Sequence, residues 1–543
     1  MSSKLLSRVH RSHLLEKLMT PKEAAYKFFK SGQTLGWSGF TPAGYPKVVP
    51  IALADRVEET KEDLKFEVFI GASVGSETED RWAKLGMEAR RFPYQTGKNI
   101  AAGINTGKIE MADTHLSMFA QNLGWGFYTK DNKHNPGRLD VAIIEATEIL
   151  EDGGLVLGTG IEELLYKLLL FKHSNYYVFF FIGCTPEILS IADKIIIEVN
   201  TALPSLRGIH DIVDDPRPPH RKPYLISRVD DRVGSETIKV DESKVVAIVE
   251  STLPDNGRGF SAVDDTSKQI AGHIMDFLKN EVKQGRLPAN LLPIQSGVGN
   301  IANAVVGGLV DSDFTHLNVW SEVLQDTVLD LIDANKVDTA SGVSLSLSAK
   351  GFERFYGNIE RYKPHCVLRP EAIANSCEFV RRLGVIAMNT PIEVDMYCHA
   401  NSSLVGGTKI INGLGGSGDF LRNAYLSIMH TPSSRPSKTD PTGISCIVPM
   451  CAHIDHTEHD LDVIVTEQGL ADVRGMSPRQ RAQYIIKTCA HPDYKDQLLD
   501  YYKMAEKECI AKKAGHEPQL LEYCHKMHIN LAKNGTMKLD KWN

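Results

Sequence analysis

The sequence predicts an α/β protein made of two α/β domains and a helical C-terminal extension. Its 543 residues suffice for two or three domains with separate cores. Short apolar runs rich in branched residues alternate with amphipathic stretches, which is typical of parallel strands connected by helices. A charged, proline-rich stretch over residues 211–233 interrupts the alternation. We therefore expect one domain over residues 1–225 and a second over residues 226–543.

The elements follow from local pattern. In the first domain, strands are predicted at FEVFIGA (66–72), VAIIEA (141–146) and KIIIEV (194–199), and helices at 21–29 and 46–56. The second series begins with the run at 245–249 and continues through the run at 462–466. From about residue 477 the pattern is helical, because Ser477 suits an N-cap and Pro478 suits the first helical position.

One segment fits neither domain. Residues 162–182 are rich in Leu, Phe and Tyr but contain two lysines, a histidine, a serine and an asparagine. A central charge costs a membrane span about 2.5–3.5 kcal/mol, so we do not expect one here. We interpret the segment as an atypical insertion or a buried helix and strand, with no role in catalysis.

Composition limits the function classes. With 61 basic and 68 acidic residues the net charge is −7, which argues against nucleic-acid binding. Nine scattered cysteines without a Cys-x-x-Cys pair indicate reduced thiols. Residues 1–15 carry three basic and no acidic residues and lack an apolar signal core. They are either a mitochondrial presequence or a basic first helix, so we expect a mitochondrial or cytoplasmic protein.

Three segments carry the chemistry. They are IQSGVGN (294–300), WSEVLQD (320–326) and NGLGGSGDF (412–420). Glycine-rich loops bring backbone N–H groups close to a ligand, and Glu322 lies between two of them in the sequence. A carboxylate facing donors for a developing negative charge is what acyl transfer through a covalent intermediate requires.

Other motifs have competing interpretations. Gly413–Gly418 matches G-x-G-x-x-G, so a nicotinamide oxidoreductase is the rival enzyme class. Residues 453–460 contain His, Asp and Glu as a metal site does, although a polar loop is the favoured interpretation, and we expect no metal. The glycine-rich turn at 36–44 precedes a predicted helix, where it either binds an anion or is a plain βα turn.

Together these motifs resemble the acetyl-CoA hydrolase/transferase family of class I CoA-transferases. The resemblance rests on QSGVGNIANAV (295–305), WSEVLQD, NGLGGSGDF and VTEQGLAD (465–472), and extends to LGWSGF (35–40) and HLSMF (115–119). It covers nearly the whole chain and is closest to the eukaryotic acetyl-CoA hydrolase and succinyl-CoA:acetate CoA-transferase branch. It implies two tandem α/β/α CoA-transferase domains with the active site at their interface, and a homodimer.

The resemblance also implies the site. Glu322 matches the nucleophile, the N–H groups of Val298 and Gly416 match the oxyanion donors, and Asn375 supports the acyl group. The implied substrate- and CoA-binding residues are Ile294, Gln295, Ser296, Gly297, Val298, Asn375, Asn412, Gly416 and Lys438. Asn256 stands where some bacterial relatives carry an arginine that binds the substrate carboxylate, and Arg258 is the candidate substitute.

The implied reaction moves CoA between a short-chain acyl-CoA, such as acetyl-CoA or succinyl-CoA, and acetate or succinate. It proceeds through a glutamyl-CoA thioester, with acetyl-CoA hydrolysis as a related activity. Coenzyme A is then a substrate, and no further cofactor is expected. A non-catalytic CoA-binding protein is the third hypothesis, and it predicts CoA binding without thioester turnover.

Overall fold

The computed structural model describes residues 2–160, 184–213, 218, 221, 223–257, 259 and 263–542. Two compact units make up the chain. The first consists of Met1–Gly259 and Asn318–Leu383, and the second of Phe260–Leu317 and Gly384–Asn543. The predicted insertion at 162–182 and Arg258 lie outside the described residues. The mixed architecture of sheets and helices confirms the predicted α/β fold class.

The first unit is built on a largely parallel sheet. Its long central strand, Leu139–Ile149, pairs in parallel with Thr34–Trp37 on one side and Ala192–Asn200 on the other. Both neighbours are apolar and almost fully buried, as expected for strands covered on two faces. The remaining strands are Phe66–Ala72, Glu88–Tyr94, Glu110–Met111, Gly154–Leu157, Ile238–Lys239 and Val245–Ser251.

Helices connect these strands. Pro21–Phe28 starts at a capping box in which Thr20 and Glu23 satisfy each other's backbone N–H groups. The other α-helices of residues 1–259 are Ser3–Leu6, Val48–Thr60, Arg81–Leu85, Lys98–Asn105, Leu116–Gly124 and Cys184–Ile191. The core beneath the helices contains the edge-to-face pair of Trp37 and Trp82, with ring centroids 4.7 Å apart.

The run at 245–249 belongs to the first unit. We expected it to open the second domain, but Val245–Ser251 pairs in parallel with Ala192–Asn200. Its residues Ala247 and Val249 enter the core of the first unit, which explains the pairing. Residues 318–383 also join this unit, through backbone bridges between Gly160 and Ser344 and between His210 and Leu368. The compact units therefore do not follow a single cut after residue 225.

The segment of residues 317–383, which contains Glu322, consists of short elements. Its strands are Leu317–Trp320, Val323–Leu324, Val337–Gly342, Ser344–Leu345 and Cys366–Leu368. Its helices are Asp326–Asp333, Ala349–Gly357, Ile359–Tyr362, Glu371–Ala374 and Cys377–Leu383.

The second unit contains its own parallel strands. Ile294–Ser296, Ile386–Asn389, Leu426–His430 and Val463–Thr466 lie side by side in that order, and Gly469–Asp472 adds an antiparallel edge. Its helices are Asp265–Lys283, Asn300–Val310, Ser417–Asn423, Pro478–Cys489, Pro492–Ala511 and Lys526–Asn534. The last three form the expected C-terminal extension, and the first of them starts at a capping box of Ser477 and Gln480.

The N-terminal residues pack against the rest of the first unit. Val9 bridges to Ile149, Arg8 donates to the carbonyl oxygen of Thr147, and Leu14 is buried. Every cysteine whose side chain is described is a free thiol. Within the described part of the chain, no helix has the length and apolar character needed to cross a membrane.

Candidate active site

Glu322 lies in a short loop whose backbone is held by hydrogen bonds. The loop joins Leu317–Trp320 to Val323–Leu324. The carbonyl oxygen of Glu322 accepts hydrogen bonds from the N–H groups of Val343, at 2.7 Å, and Ser344, at 3.4 Å. These bonds set the direction in which the half-buried Glu322 side chain leaves the backbone.

Asn375 orients the Glu322 carboxylate. Its Nδ2 donates to Glu322 Oε2 at 2.8 Å. Asn375 is completely buried at the end of the helix Glu371–Ala374, which is held in turn by a 2.8 Å bond from Trp320 Nε1 to the carbonyl oxygen of Ala374. Asn375 Oδ1 is also buried and accepts no hydrogen bond from the described residues. Burial and the anchored end of the helix therefore hold the amide in place, with Nδ2–H directed at Glu322.

Two N-terminal motifs support the Glu322 loop. Val323 packs in a buried cluster with Phe40 of LGWSGF and Leu116 of HLSMF, together with Val343 and Ala374. The carboxylate thus rests on a rigid apolar base within the first unit, which is how reacting groups are kept in place. LGWSGF and HLSMF, although far from Glu322 in the sequence, therefore help to hold its loop in place.

The turn at 36–44 precedes a helix whose N-terminus is already occupied. The carboxylate of Glu198 accepts hydrogen bonds from the N–H groups of Lys47, Val48 and Val49, at 2.7, 3.0 and 2.7 Å. Burial raises the pKa of Glu198, while these three N–H groups oppose the shift. Of the two hypotheses, a βα turn with an internal anion fits the structure.

A buried ionic cluster lies beside the same turn. Lys47 Nζ contacts Glu145 Oε2 at 2.5 Å and Asp255 Oδ1 at 2.8 Å, and all three side chains are at most 1% exposed. Burial raises the pKa of Glu145 to about 8, against the opposing effect of Lys47. Asn256, the position of the predicted substrate-binding arginine, is exposed and donates to Glu77 Oε2 at 3.0 Å.

In the second unit, the predicted CoA-binding residues 294–298 lie at the end of a parallel strand. Gln295 and Asn389 exchange side-chain hydrogen bonds of 3.2 and 2.8 Å, which tie Ile294–Ser296 to the neighbouring strand. The N–H of Gly297 donates to the carbonyl oxygen of Met388 at 2.9 Å. Val298 follows with 41% of its surface exposed, directly before Gly299 and the helix Asn300–Val310.

The second glycine-rich segment lacks the context of a dinucleotide site. The strand before it, Lys409–Ile410, belongs to a two-stranded antiparallel hairpin rather than to a βαβ unit. A dinucleotide site also needs an acid about twenty residues after the glycines to bind the ribose, and Asp440 stands at that distance. Asp440 is buried, however, and accepts from Thr536 Oγ1 and from the N–H of Thr442. Gly415 has φ of 62°, and Gly416 precedes the helix Ser417–Asn423. The nicotinamide hypothesis therefore has no structural support.

The remaining predicted residues are distributed over the second unit. Asn412 is half-buried, whereas Lys438 is exposed on the loop that follows Ser434–Arg435. Among the predicted residues of the first unit, the fold brings Glu322 and Asn375 into direct contact.

The polar segment at 453–460 is a hydrogen-bonded loop. His456 is buried and bonded to Ser417, and Glu458 pairs with Arg481 at 2.7 Å. No group of His, Cys, Asp and Glu suitable for a metal ion occurs among the described residues. The hydrogen bond of His456 and the ion pair of Glu458 support the interpretation of the segment as a polar loop.

Comparisons with known proteins agree with these features. The model of the acetyl-CoA hydrolase/transferase N-terminal domain matches residues 2–169 and 171–250, and that of the C-terminal domain matches residues 351–502. Acetyl-CoA hydrolase of Schizosaccharomyces pombe is 53% identical over 544 residues, and the match covers 100% of this chain and 100% of the relative. The Saccharomyces cerevisiae acetyl-CoA hydrolase is 52% identical over 543 residues, covering 100% of this chain and 99% of the relative.

Solved structures share the fold. RipA from Yersinia pestis superposes with a TM-score of 0.66 at 22% identity, over 91% of this chain and 99% of RipA. A 4-hydroxybutyrate CoA-transferase from Porphyromonas gingivalis superposes with a TM-score of 0.57 at 17% identity, over 92% of this chain and 98% of that chain. These structures show the fold, whereas the matched domain models and the full-length relatives show that the chain belongs to the acetyl-CoA hydrolase/transferase family of enzymes.

Proposed function

We propose that this protein transfers CoA between a short-chain acyl-CoA and a short-chain carboxylate through a glutamyl-CoA thioester on Glu322. Acetyl-CoA and succinyl-CoA are the proposed donors, acetate and succinate the acceptors, and acetyl-CoA hydrolysis is a related activity. The observation that carries the proposal is the 2.8 Å bond by which buried Asn375 orients the Glu322 carboxylate. Family membership supports it, because relatives that match over their full length are named acetyl-CoA hydrolases.

In the first step, a carboxylate oxygen of Glu322 attacks the thioester carbonyl. The tetrahedral oxyanion collapses, the carbon–sulfur bond breaks, and an acyl-glutamyl anhydride and CoA thiolate result. The proposal assigns the oxyanion donors to the backbone N–H groups of Val298 and Gly416. Loss of one such donor typically costs about 2.7–4 kcal/mol of transition-state stabilisation.

In the second step, the CoA thiolate attacks the Glu322 carbonyl and releases the first carboxylate. The glutamyl-CoA thioester that forms is then attacked by the incoming carboxylate, which regenerates an anhydride and CoA thiolate. The thiolate finally attacks the new acyl carbonyl, and Glu322 leaves as a carboxylate. CoA stays bound through contacts remote from sulfur, so each exchange is effectively intramolecular.

Hydrolysis is the same chemistry with water as the acceptor. The outcome depends on how well the site excludes water while the anhydride exists. Ile294–Gly297, Asn412 and Lys438 are the proposed CoA contacts. Coenzyme A acts as substrate, no resident cofactor or metal takes part, and the homodimer implied by the family resemblance remains a prediction.

The first test follows transfer and hydrolysis together. The enzyme is mixed with succinyl-CoA, with and without acetate, while acetyl-CoA and free thiol are both quantified. We expect acetate-dependent acetyl-CoA to form much faster than free thiol. Thiol release at a rate that does not depend on acetate would make the protein a hydrolase, and CoA binding without any turnover of succinyl-CoA would contradict the proposal.

Glu322→Gln tests the nucleophile. The amide oxygen is a poor nucleophile, so we expect both activities to fall by about 10⁴-fold or to background, as when a covalent nucleophile is removed. Mass spectrometry of the protein after acetyl-CoA addition should show a CoA adduct in the unmodified chain and none in the variant. Glu353→Gln, at an exposed glutamate of the same unit, is the matched control. An adduct on Glu322→Gln would disprove the assignment.

A further inference from the structure

The polar segment His453–His456 and the glycine-rich turn Asn412–Gly416 are parts of one hydrogen-bonded structure within the second unit. The segment lies against a backbone bridge in which Ala400 donates to the carbonyl oxygen of His456 at 2.9 Å, and the N–H groups of Asp455 and His456 both donate to the carbonyl oxygen of Ala400. His456 is 1% exposed. Hydrogen bonds to Ala400 therefore hold the segment in place independently of its contact with the turn.

Asp455 fixes the chain upstream of the turn. Its carboxylate accepts from the N–H groups of Ser402 and Ser403, at 2.6 and 2.9 Å, and from Ser403 Oγ at 2.8 Å. The carbonyl oxygen of Ser403 accepts in turn from the N–H of Ile411 at 3.0 Å, directly before Asn412. The charge-assisted bonds at Asp455 are of the stronger class, so the entry of the turn is well determined.

His456 fixes the chain downstream of the turn. Ser417 Oγ donates to the carbonyl oxygen of Leu414 at 2.9 Å and lies 3.1 Å from His456 Nε2. A serine hydroxyl has one hydrogen, so while it donates to Leu414 its oxygen accepts from Nε2–H of His456. The bond to Leu414 spans Gly415 and Gly416, and Gly415 needs its φ of 62° for the turn to close.

We infer that Asp455 and His456 are positioning residues that hold the turn Asn412–Gly416 from its two ends and so fix the direction of the Gly416 N–H. The inference rests on the proposed function, in which that N–H stabilises the oxyanion. His456 touches neither substrate nor reacting atoms in this proposal, and it acts through Ser417. The same geometry explains why histidines and acids cluster in residues 453–456 without ligating a metal.

Two variants each remove one partner of the hydrogen bond between His456 and Ser417. His456→Ala removes the Nε2 donor, and Ser417→Ala removes the hydroxyl that accepts it. Because a misplaced oxyanion donor weakens the transition state more than the bound substrate, we expect kcat to fall about 10–100-fold. The KM for acetyl-CoA should change less than about threefold, since ground-state contacts are retained.

A rescue and a control separate positioning from general destabilisation. His456→Gln places a side-chain amide N–H near the position of Nε2 and should restore most of kcat. His459→Ala removes a neighbouring histidine whose side chain is 80% exposed, and kcat should stay at the level of the unmodified enzyme. If His456→Ala does not fold, Ser417→Ala carries the test, because it leaves the buried histidine in place.

The double variant decides whether the two residues act as one unit. If His456 acts through Ser417, the kcat of His456→Ala with Ser417→Ala will match that of the worse single variant. If the losses of the two single variants multiply in the double variant, the inference is wrong. It is also wrong if each single variant, Ser417→Ala and His456→Ala, has the same kcat as His459→Ala. Failure of the proposed function is distinguishable, because Glu322→Gln would then retain the activity of the unmodified enzyme.

Discussion

The glycine-rich turns at 36–44 and 412–416 differ in the groups that surround them. The turn at 36–44 is buried, and the helix that follows it, Val48–Thr60, directs its first N–H groups at the carboxylate of Glu198. The turn Asn412–Gly416 is partly exposed, and side chains of its own unit anchor its ends. Each turn contains three glycines, so the presence of glycine does not distinguish them, whereas the internal carboxylate at the helix after the first turn does. The helix after the first turn thus faces an internal anion, whereas the second turn is the one to which our proposal assigns the acyl-CoA.

The largest expected effect comes from the cation beside the first turn. Lys47→Met leaves the Glu145 and Asp255 carboxylates buried without their lysine, so the free energy of unfolding should fall by about 3–5 kcal/mol. Chemical denaturation measures this loss. Lys84→Met, at an exposed lysine, is the control and should stay within about 0.5 kcal/mol of the unmodified protein. A stable Lys47→Met protein with weakened acetyl-CoA binding would make the first turn a ligand site.

A matched pair of glycine substitutions compares the turns directly. Gly44 and Gly415 have φ of 65° and 62°, so alanine costs about 1–2 kcal/mol of backbone strain at either position. At Gly44 the new Cβ would also lie 2.5 Å from the backbone nitrogen of Gly160, which adds about 1–3 kcal/mol of overpacking. We expect Gly44→Ala mainly to lower the melting temperature and Gly415→Ala mainly to lower kcat. The reverse result would exchange the roles assigned to the turns.

A smaller effect is expected at the internal anion itself. Glu198→Gln places an amide NH₂ against one of the three backbone donors, and the free energy of unfolding should fall by about 1–3 kcal/mol. The KM for acetyl-CoA should not change. Urea denaturation and initial-rate kinetics measure the two quantities, with Glu353→Gln as the exposed control. A change in KM without a change in stability would refute an internal role for Glu198.

Much of the fold could be predicted because the sequence pattern is local. The strand predicted at 66–72 is Phe66–Ala72, and the helix predicted at 21–29 is Pro21–Phe28. The run at 245–249 is also a strand, but a period of apolar residues does not tell which sheet a strand joins. That choice follows from long-range packing against Ala192–Asn200.

The candidate site was predictable only in part. Resemblance assigned Glu322 and Asn375, and the structure places them in contact, while the CoA-binding and oxyanion roles remain predictions. The cluster of Lys47, Glu145 and Asp255 left no sequence signal, because its members are far apart and Glu145 stands within an apolar strand pattern. His456 was visible as part of a polar loop, but its bond to Ser417 depends on tertiary structure.

The discontinuous first unit has a consequence for how the protein is made. Ribosomes synthesise the chain from its N-terminus, and domains generally fold in that order. Here the first unit also needs residues 318–383, which emerge only after residues 260–317 of the second unit. Until Arg369 appears, the buried Asp211 lacks the guanidinium with which it forms an ion pair. A nascent chain that ends at residue 259 is therefore an incomplete folding unit, in which Phe40 and Leu116 lack the Val323 side chain that packs against them.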